Sequence, residues 1–261
     1  MMHTTRAALA AASIAVLVVP ATASAQMAVA LTGDNTLVMI DTSKPAVVKS
    51  MTVEGAANLV GIDVRPSNKM LYGVAPDGTV MTIDTTTGKA TKVSKLEKTI
   101  ATGTGAIVDF NPAADKLRFM STDGTNLRAD VDTGKVTTDG SLAFETQEKG
   151  APSKPNIVAA AYTNSFGKPE KTAMYDIDGT LGALVHQTKP NDGTLKVVGS
   201  LGAGEASTFA FDVHTTAAGV NTAWLVADNT LFKVALETGK VTKVGVIAGA
   251  KGKIRDLAVL Q

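Results

Sequence analysis

One three-residue turn occurs three times in this chain, as Thr87-Gly88-Lys89, Thr133-Gly134-Lys135 and Thr238-Gly239-Lys240. Two further positions have weaker versions of it, Thr42-Ser43-Lys44 and Asn191-Asp192-Gly193-Thr194. The intervals between the central residues are 45, 46, 59 and 46 positions, so one period recurs with a short insertion in the third interval. A period of this length is typical of four short strands with their turns, which form one blade of a β-propeller.

A second turn, rich in Asp, Asn and Gly, precedes each of these turns and supplies the positive-φ residues that a tight hairpin needs. Its copies are Gly33-Asp34-Asn35, Asp77-Gly78, Asp123-Gly124, Asp178-Gly179 and Asp228-Asn229. Between the turns lie short β-branched, aliphatic or aromatic runs, such as Val80–Ile83 and Leu231–Val234, which predict strands. A sandwich of similar strands is the alternative, and the regular repeat favours the propeller.

The two ends of the chain predict how the ring closes. The first repeat contains only three strands, near residues 28–31, 37–40 and 47–53. It lacks the innermost strand that begins the other repeats, and the final run Ile254–Val259 has the same character as those strands. We therefore predict an all-β, five-bladed β-propeller with four strands per blade, in which the C-terminal strand completes the first blade and removes its exposed edge.

The N-terminus has the pattern of an export signal. Arg6 provides a positive charge, Ala7–Val19 form an apolar run, and Ala23-Ser24-Ala25 matches a cleavage site. We predict a signal peptide over residues 1–25, a single domain over residues 26–261, and a periplasmic or secreted protein. The apolar run is too short for a membrane span, and no later segment reaches the necessary length, so we expect no transmembrane segment.

Charge and cysteine content exclude several classes of protein. The chain has 25 basic and 24 acidic residues and no basic run, which gives no electrostatic footprint for nucleic acid. It has no cysteine, which excludes disulfides, thiolate metal sites and cysteine nucleophiles. We expect a monomer whose partner is a small molecule or a protein outside the cytoplasm, and no cofactor is indicated.

Several longer stretches are similar to a known family. They are Gly61–Pro66, Val108–Pro112, Asn126-Leu-Arg128, Ala161-Tyr-Thr-Asn164 and Pro190-Asn-Asp-Gly-Thr-Leu195. With them, the chain resembles the exported bacterial family known as domain of unknown function 4394 through essentially all of its mature part. The resemblance implies a propeller-like repeat fold outside the cytoplasm, and it implies no activity.

The innermost strands carry a repeated carboxylate. Asp63, Asp109 and Asp212 share one register position, which Ala161 and Ala258 fill in the other two blades. Two residues further along each strand, on the same side, come polar residues: Arg65, Asn111, Thr163 and His214. These residues could ring a central channel that holds a metal or a substrate. Alternatively, each aspartate accepts backbone donors or pairs with an arginine of a neighbouring blade, and we expect this structural role for Asp109.

The third repeat is the most polar part of the chain. Arg118 and Arg128 are predicted on neighbouring strands with Asn126 close by, and Tyr162 and Asn164 follow in the next blade. The planar fork of arginine suits a carboxylate or phosphate ligand, and it equally suits one of the aspartates of the inner strands. Both a ligand-binding and a structural role stay open for the two arginines.

Three functions remain open at this point. The first is a non-catalytic exported propeller that binds a small ligand or a protein. The second is a hydrolase or lyase that uses Asp63, Asp109 and Asp212 as acid and base, and the third is a metal-binding protein with the same aspartates as oxygen ligands. The irregular segment Asp139–Asn156 is predicted to be either a lid over the ligand face or a solvated linker.

Overall fold

The structure is a computed structural model that describes residue 1, residues 26–145 and residues 154–261. The predicted signal peptide and the centre of the Asp139–Asn156 segment lie outside these ranges. The described residues form strands in the following order: β1 (Met27–Thr32), β2 (Thr36–Asp41), β3 (Ala46–Thr52), β4 (Gly61–Arg65), β5 (Met70–Val74), β6 (Thr79–Ile83), β7 (Ala90–Lys95), β8 (Ala106–Asn111), β9 (Lys116–Ser121), β10 (Asn126–Ala129), β11 (Val136–Thr138), β12 (Ala143–Phe144), β13 (Ile157–Tyr162), β14 (Met174–Asp178), β15 (Ala183–Lys189), β16 (Thr194–Ser200), β17 (Phe209–Thr215), β18 (Asn221–Ala227), β19 (Thr230–Val234), β20 (Val241–Val246) and β21 (Ile254–Val259).

These strands form five small sheets arranged in a ring. From the inside outwards the sheets are β21-β1-β2-β3, β4-β5-β6-β7, β8-β9-β10-β11, β13-β14-β15-β16 and β17-β18-β19-β20, which we call blades 1 to 5. Each innermost strand contacts the innermost strands of both neighbouring blades, so the ring is closed. The predicted five-bladed propeller is confirmed. No helix of the described residues is long and apolar enough to cross a membrane.

The C-terminal strand completes blade 1, as predicted. Strand β21 pairs antiparallel with β1, with Ala28 opposite Val259 and Ala30 opposite Leu257. The pairing buries the apolar side chains of this strand, and Ile254 and Ala258 are completely buried. The first and last residues of the propeller are therefore held in one sheet.

Blade 4 differs from the prediction of four strands per blade. Ala143 and Phe144 form the short strand β12, which pairs in parallel with the outer strand β16 as a fifth strand. Two hydrogen bonds hold it there, since Ala143 N–H donates to the Gly193 carbonyl and Glu145 N–H donates to the Leu195 carbonyl. The sequence gave little warning of this strand, because two residues are too few to form a recognisable alternation. The start of the Asp139–Asn156 segment therefore covers an exposed sheet edge.

The hydrophobic core is divided into five clusters, one at each interface between neighbouring blades. The apolar side chains of one blade pack against those of the next, because each small sheet is apolar on both of its faces near the axis. In the cluster between blades 2 and 3, for example, Tyr72 packs edge-on against Phe110 with ring centroids 5.2 Å apart. Stability is therefore distributed around the ring.

The repeated Thr-Gly-Lys turn forms a contact between blades that we call the inter-blade latch. In blades 2 to 5 the glycine of the turn has φ between 71° and 82° and lies against the backbone at the end of the preceding blade's outer strand. A Cβ on Gly134 would come within 3.0 Å of backbone atoms of Lys95, and one on Gly88 would meet Thr52 in the same way. Glycine is therefore required twice, for its φ and for the close approach.

Blade 1 forms its latch differently, because Pro45 stands close to the position that glycine has elsewhere. The Pro45 carbonyl accepts a hydrogen bond from Ala248 N–H at 3.0 Å, and the Ala248 carbonyl accepts one from Val47 N–H at 2.9 Å. The glycine of this contact lies on the partner strand, where Gly245 faces the Pro45 ring. The least typical repeat of the sequence thus keeps the same contact with the glycine moved to the other side.

Candidate functional site

The channel carboxylates, Asp63, Asp109 and Asp212, lie on the innermost strands of blades 2, 3 and 5. Each accepts a hydrogen bond from a backbone N–H of the next inner strand, which the sequence analysis gave as their structural role. Phe110 N–H donates to Asp63 Oδ2 at 2.7 Å, Tyr162 N–H donates to Asp109 Oδ1 at 2.9 Å, and Val259 N–H donates to Asp212 Oδ2 at 2.6 Å. The blades of a propeller share no ladder hydrogen bonds, so these side chains join the inner strands directly.

The three carboxylates also converge on one another. One oxygen from each lies within 4.8 Å of the others, and all three residues are buried. Burial raises the pKa of Asp212 to about 6. Burial and then the charge of Asp212 raise the pKa of Asp63 well above its usual range. Burial and then the charge of Asp63 do the same for Asp109.

A fourth carboxylate, Asp256, joins this group and was missed in the sequence. It lies two residues before Ala258, so it does not fall in the register that the other three share. Its Oδ2 accepts from Ile62 N–H at 2.7 Å and its Oδ1 from Leu257 N–H at 2.9 Å. Burial raises the pKa of Asp256 to about 7. A search for Asp at any inner-strand position, rather than at one position, would have found it.

The second predicted ring of polar residues does not line the channel as a set. Arg65 reaches sideways into blade 3, where its guanidinium binds Asp115 and Asp132 at 2.8 Å. Asn111 accepts from the backbone of the loop that follows its own strand. His214 is half-buried and its pKa is lowered by that burial. These side chains hold loops and neighbouring blades together.

The two arginines of the third repeat form what we call the arginine cluster with Asp139. Arg118 is 1% exposed and donates to Asp139 Oδ2 at 2.6 Å, and Arg128 donates to both oxygens of the same carboxylate. Pairing of Arg118 with Asp109 or Asp63, which the sequence analysis allowed, is wrong. The reason is that Asp139 follows β11 directly and lies nearer to the guanidinium groups than the channel does.

Neutral polar groups complete the coordination of Arg118. Its guanidinium donates to Tyr162 Oη at 3.1 Å, to Asn126 Oδ1 at 2.9 Å and to Asn191 Oδ1 at 3.0 Å. The Asn126 amide in turn donates to the carbonyls of Gly140 and Pro190. The cluster therefore ties blade 3 to blade 4. The motif residues Asn126, Arg128, Tyr162 and Asn191 meet at one place, although they are far apart in the sequence.

Asn164 lies apart from this cluster. It has φ of 60° and exchanges hydrogen bonds with Asn221 of blade 5, accepting from its side-chain amide at 3.0 Å and donating its own backbone N–H at 2.9 Å. Its neighbour Ser165 continues the loop over the end of the channel, where the carbonyl of Ser165 accepts from the Gln261 side chain. The predicted site residues thus fall into three places: the channel, the arginine cluster and this loop.

Two other buried polar residues escaped the sequence analysis. Asp176 on β14 is completely buried, and neither of its carboxylate oxygens has a hydrogen-bond partner in the described residues. Gln187 on β15 faces the same side of blade 4, and its Oε1 is also without a partner there. Burial raises the pKa of Asp176 well above its usual range, against a smaller opposite effect of Arg118. Nothing in the strand pattern distinguishes this aspartate from one that faces solvent.

An open cavity of about 390 Å³ lies beside the arginine cluster, and we call it the side cavity. It is lined by Asn111, Tyr162, Thr172, Lys189, Pro190, Asn191 and Asp192. Two of these, Tyr162 and Asn191, are fixed from behind by Arg118. The cavity wall is therefore made of hydroxyl, amide and charged groups whose orientation is partly set by the buried guanidinium.

Comparison with solved structures supports the fold. A protein of unknown function from Bacteroides thetaiotaomicron has 19% identity, with 91% of this chain and 65% of that chain covered and a TM-score of 0.54. A protein of unknown function from Bacteroides caccae has 11% identity, covers 85% and 73%, and has a TM-score of 0.47. An auxiliary nutrient binding protein from Bacteroides thetaiotaomicron has 13% identity, covers 82% and 58%, and has a TM-score of 0.46. The chain thus spans under two thirds of the first of these structures.

No curated protein matches the chain. A family defined by its sequence pattern does match, over residues 36–258, which include all five blades, the channel carboxylates and the arginine cluster. The resemblance that the Asn-Leu-Arg and Pro-Asn-Asp-Gly-Thr-Leu stretches indicated is confirmed. The chain therefore belongs to the family described as domain of unknown function DUF4394.

Proposed function

We propose that this protein is an exported, non-catalytic binding protein whose ligand is a small polar molecule held in the side cavity. The observation that carries the proposal is the cavity itself, because about 390 Å³ is enough for a small metabolite and its wall contains residues fixed by the arginine cluster. Export rests on the sequence of the leader, with its positive charge, apolar run and cleavage site.

The lining residues indicate the chemistry of the ligand. Lys189 offers a positive charge at the cavity, while Asn111 and Thr172 offer an amide and a hydroxyl. Asp192 adds a carboxylate at the same opening. A molecule that carries an anionic group beside hydroxyl or amino groups would match this combination, since each of its polar groups would find an opposite partner.

The alternative of a hydrolase or lyase has less support from the geometry. The channel carboxylates border a cavity of only about 10 Å³, which is closed on one side by Ser165 and Gln261. This volume is about that of one water molecule, so a substrate could reach these groups only after the loop and the C-terminus moved away. Catalysis by these aspartates therefore requires a rearrangement that simple binding in the side cavity does not.

The test is to recover the protein from the cell envelope and to identify any bound small molecule by native mass spectrometry. We expect a bound mass in the wild type that is lost from Lys189→Ala and Thr172→Val. Lys233→Ala is the matched control, because Lys233 borders a different cavity between blades 4 and 5. Loss of the ligand from the control alone would contradict the proposed site. A wild type that carries no molecule and shows no thermal shift with carboxylates, amino acids or sugars would contradict the function.

A further inference from the structure

The channel carboxylates are buried without a counter-charge. Asp63, Asp109 and Asp212 are 6%, 4% and 7% exposed, and none of the ion pairs in the described residues includes any of them. Asp256 adds a fourth carboxylate close enough to raise the pKa of Asp63 and Asp109 further. Buried carboxylates of this kind are either protonated or neutralised by a bound cation.

The three carboxylates are not equally satisfied by the protein. Asp63 and Asp212 each receive two backbone N–H groups, one on each oxygen. Asp109 receives only one, from Tyr162 to Oδ1, and its Oδ2 has no donor among the described residues. Asp109 nevertheless lines the small channel cavity. A nearly buried carboxylate oxygen without a donor, at a cavity, is a free position for a ligand.

The size and lining of this cavity restrict what the ligand can be. Its volume of about 10 Å³ fits one ion or one water molecule. Besides the three aspartates, Ser165 and Gln261 line it, and both offer oxygen atoms. No nitrogen or sulfur ligand of the described residues lines it with them, because the remaining lining residues are Val64, Pro66, Phe110, Tyr162 and Val259.

We propose that Asp63, Asp109 and Asp212 bind one Ca²⁺ ion on the axis of the propeller, with the free oxygen of Asp109 as its central ligand. Ca²⁺ takes oxygen ligands at about 2.3–2.6 Å in irregular arrangements, so it can bridge oxygens up to about 5 Å apart. The carboxylate oxygens here lie within 4.8 Å of one another. Mg²⁺ requires about 2.0–2.1 Å and a near-ideal octahedron, which this spacing does not provide.

The ion would have a structural consequence in addition to neutralising charge. Its ligands come from blades 2, 3 and 5, which are held together at the axis by side-chain-to-backbone hydrogen bonds. A cation bound to all three would join blades that are not neighbours in sequence. It would also replace the protons that these carboxylates otherwise retain, so Ca²⁺ and H⁺ compete for the same oxygens.

The experiment uses the full mature protein, treated with a chelator and then titrated with CaCl₂ or MgCl₂ by calorimetry and by thermal unfolding. We expect Ca²⁺ to bind and to raise the melting temperature, with Mg²⁺ much weaker. Binding should weaken between about pH 7.5 and about pH 5, because protons displace the ion. Asp109→Asn should lower the Ca²⁺ affinity more than about tenfold, because it removes one of three ligand charges.

Asp256→Asn is the matched control, because Asp256 is a buried channel carboxylate outside the group of three. It should keep the wild-type response to Ca²⁺. Undiminished Ca²⁺ binding by Asp109→Asn, or a wild type that neither binds nor is stabilised by Ca²⁺, would overturn the proposal. Should Asp109→Asn fail to fold, the wild-type titration and its metal content after native purification decide alone. Loss of the side-cavity ligand in Lys189→Ala leaves this result unchanged, so the two proposals fail independently.

Discussion

Replacing Gly134 by alanine tests the inter-blade latch most directly. Gly134 has φ of 79°, and a Cβ there would overlap the backbone of Lys95 in the preceding blade. An alanine pays about 1–2 kcal/mol for this φ alone. The overlap adds about 1–3 kcal/mol, because the two blades must separate slightly and the hydrogen bond from Glu97 N–H to the Gly134 carbonyl weakens. We expect Gly134→Ala to lower the free energy of unfolding by about 2–5 kcal/mol.

Gly103→Ala is the matched control for this experiment. Gly103 has nearly the same φ, 82°, but a Cβ at this position has nothing within 4 Å. Its variant therefore carries only the conformational cost, about 1–2 kcal/mol. Urea unfolding of both variants, followed by circular dichroism, measures the difference. Equal losses of stability in the two variants would refute the latch, because the contact between blades would then contribute nothing beyond the turn conformation.

Three further outcomes follow from the same contacts. Asp139→Ala should cost about 3–5 kcal/mol in urea unfolding, because Arg118 stays buried without its carboxylate, while Arg128→Ala should cost far less, since Arg118 keeps its partner; equal costs would contradict this. Asp176→Asn should raise the melting temperature at neutral pH: the folded-state pKa is raised, so the wild type loses stability as pH rises above about 4, and a variant that keeps the wild-type pH profile would refute it. Deleting residues 253–261 should abolish cooperative unfolding by removing β21, and an unchanged melting temperature would disprove ring closure.

Local signals were sufficient to predict the blades. The Thr-Gly-Lys turns, the Asp- and Gly-rich hairpins and the short apolar runs each depend on a few adjacent residues, and their period predicts the ring. The missing inner strand of the first repeat even indicated closure by Ile254–Val259. The two-residue strand β12 was not predictable in this way, because its pairing depends on the free edge of β16 and not on its own sequence.

The partners of charged residues were much harder to predict. Arg118 could be assigned to a strand, but choosing Asp139 over Asp109 requires knowing how the outer strands of blade 3 turn relative to the channel. Asp256 was missed because its position differs by two residues from the register of the other channel aspartates. A strand pattern specifies which side a residue faces, whereas ion pairs depend on distances between blades that the pattern does not contain.

Closure of blade 1 by β21 also determines the order in which the molecule can be completed. Synthesis starts at the N-terminus, so β1 exists long before Val259, the residue that will pair with Ala28. Until then the growing chain can assemble blades 2 to 5 from local hairpins, which form quickly, while the first blade waits for a contact between the two ends of the chain. Closing so long a loop is the slowest kind of pairing in a folding reaction. The last few residues to be made therefore control when the whole ring becomes a stable protein.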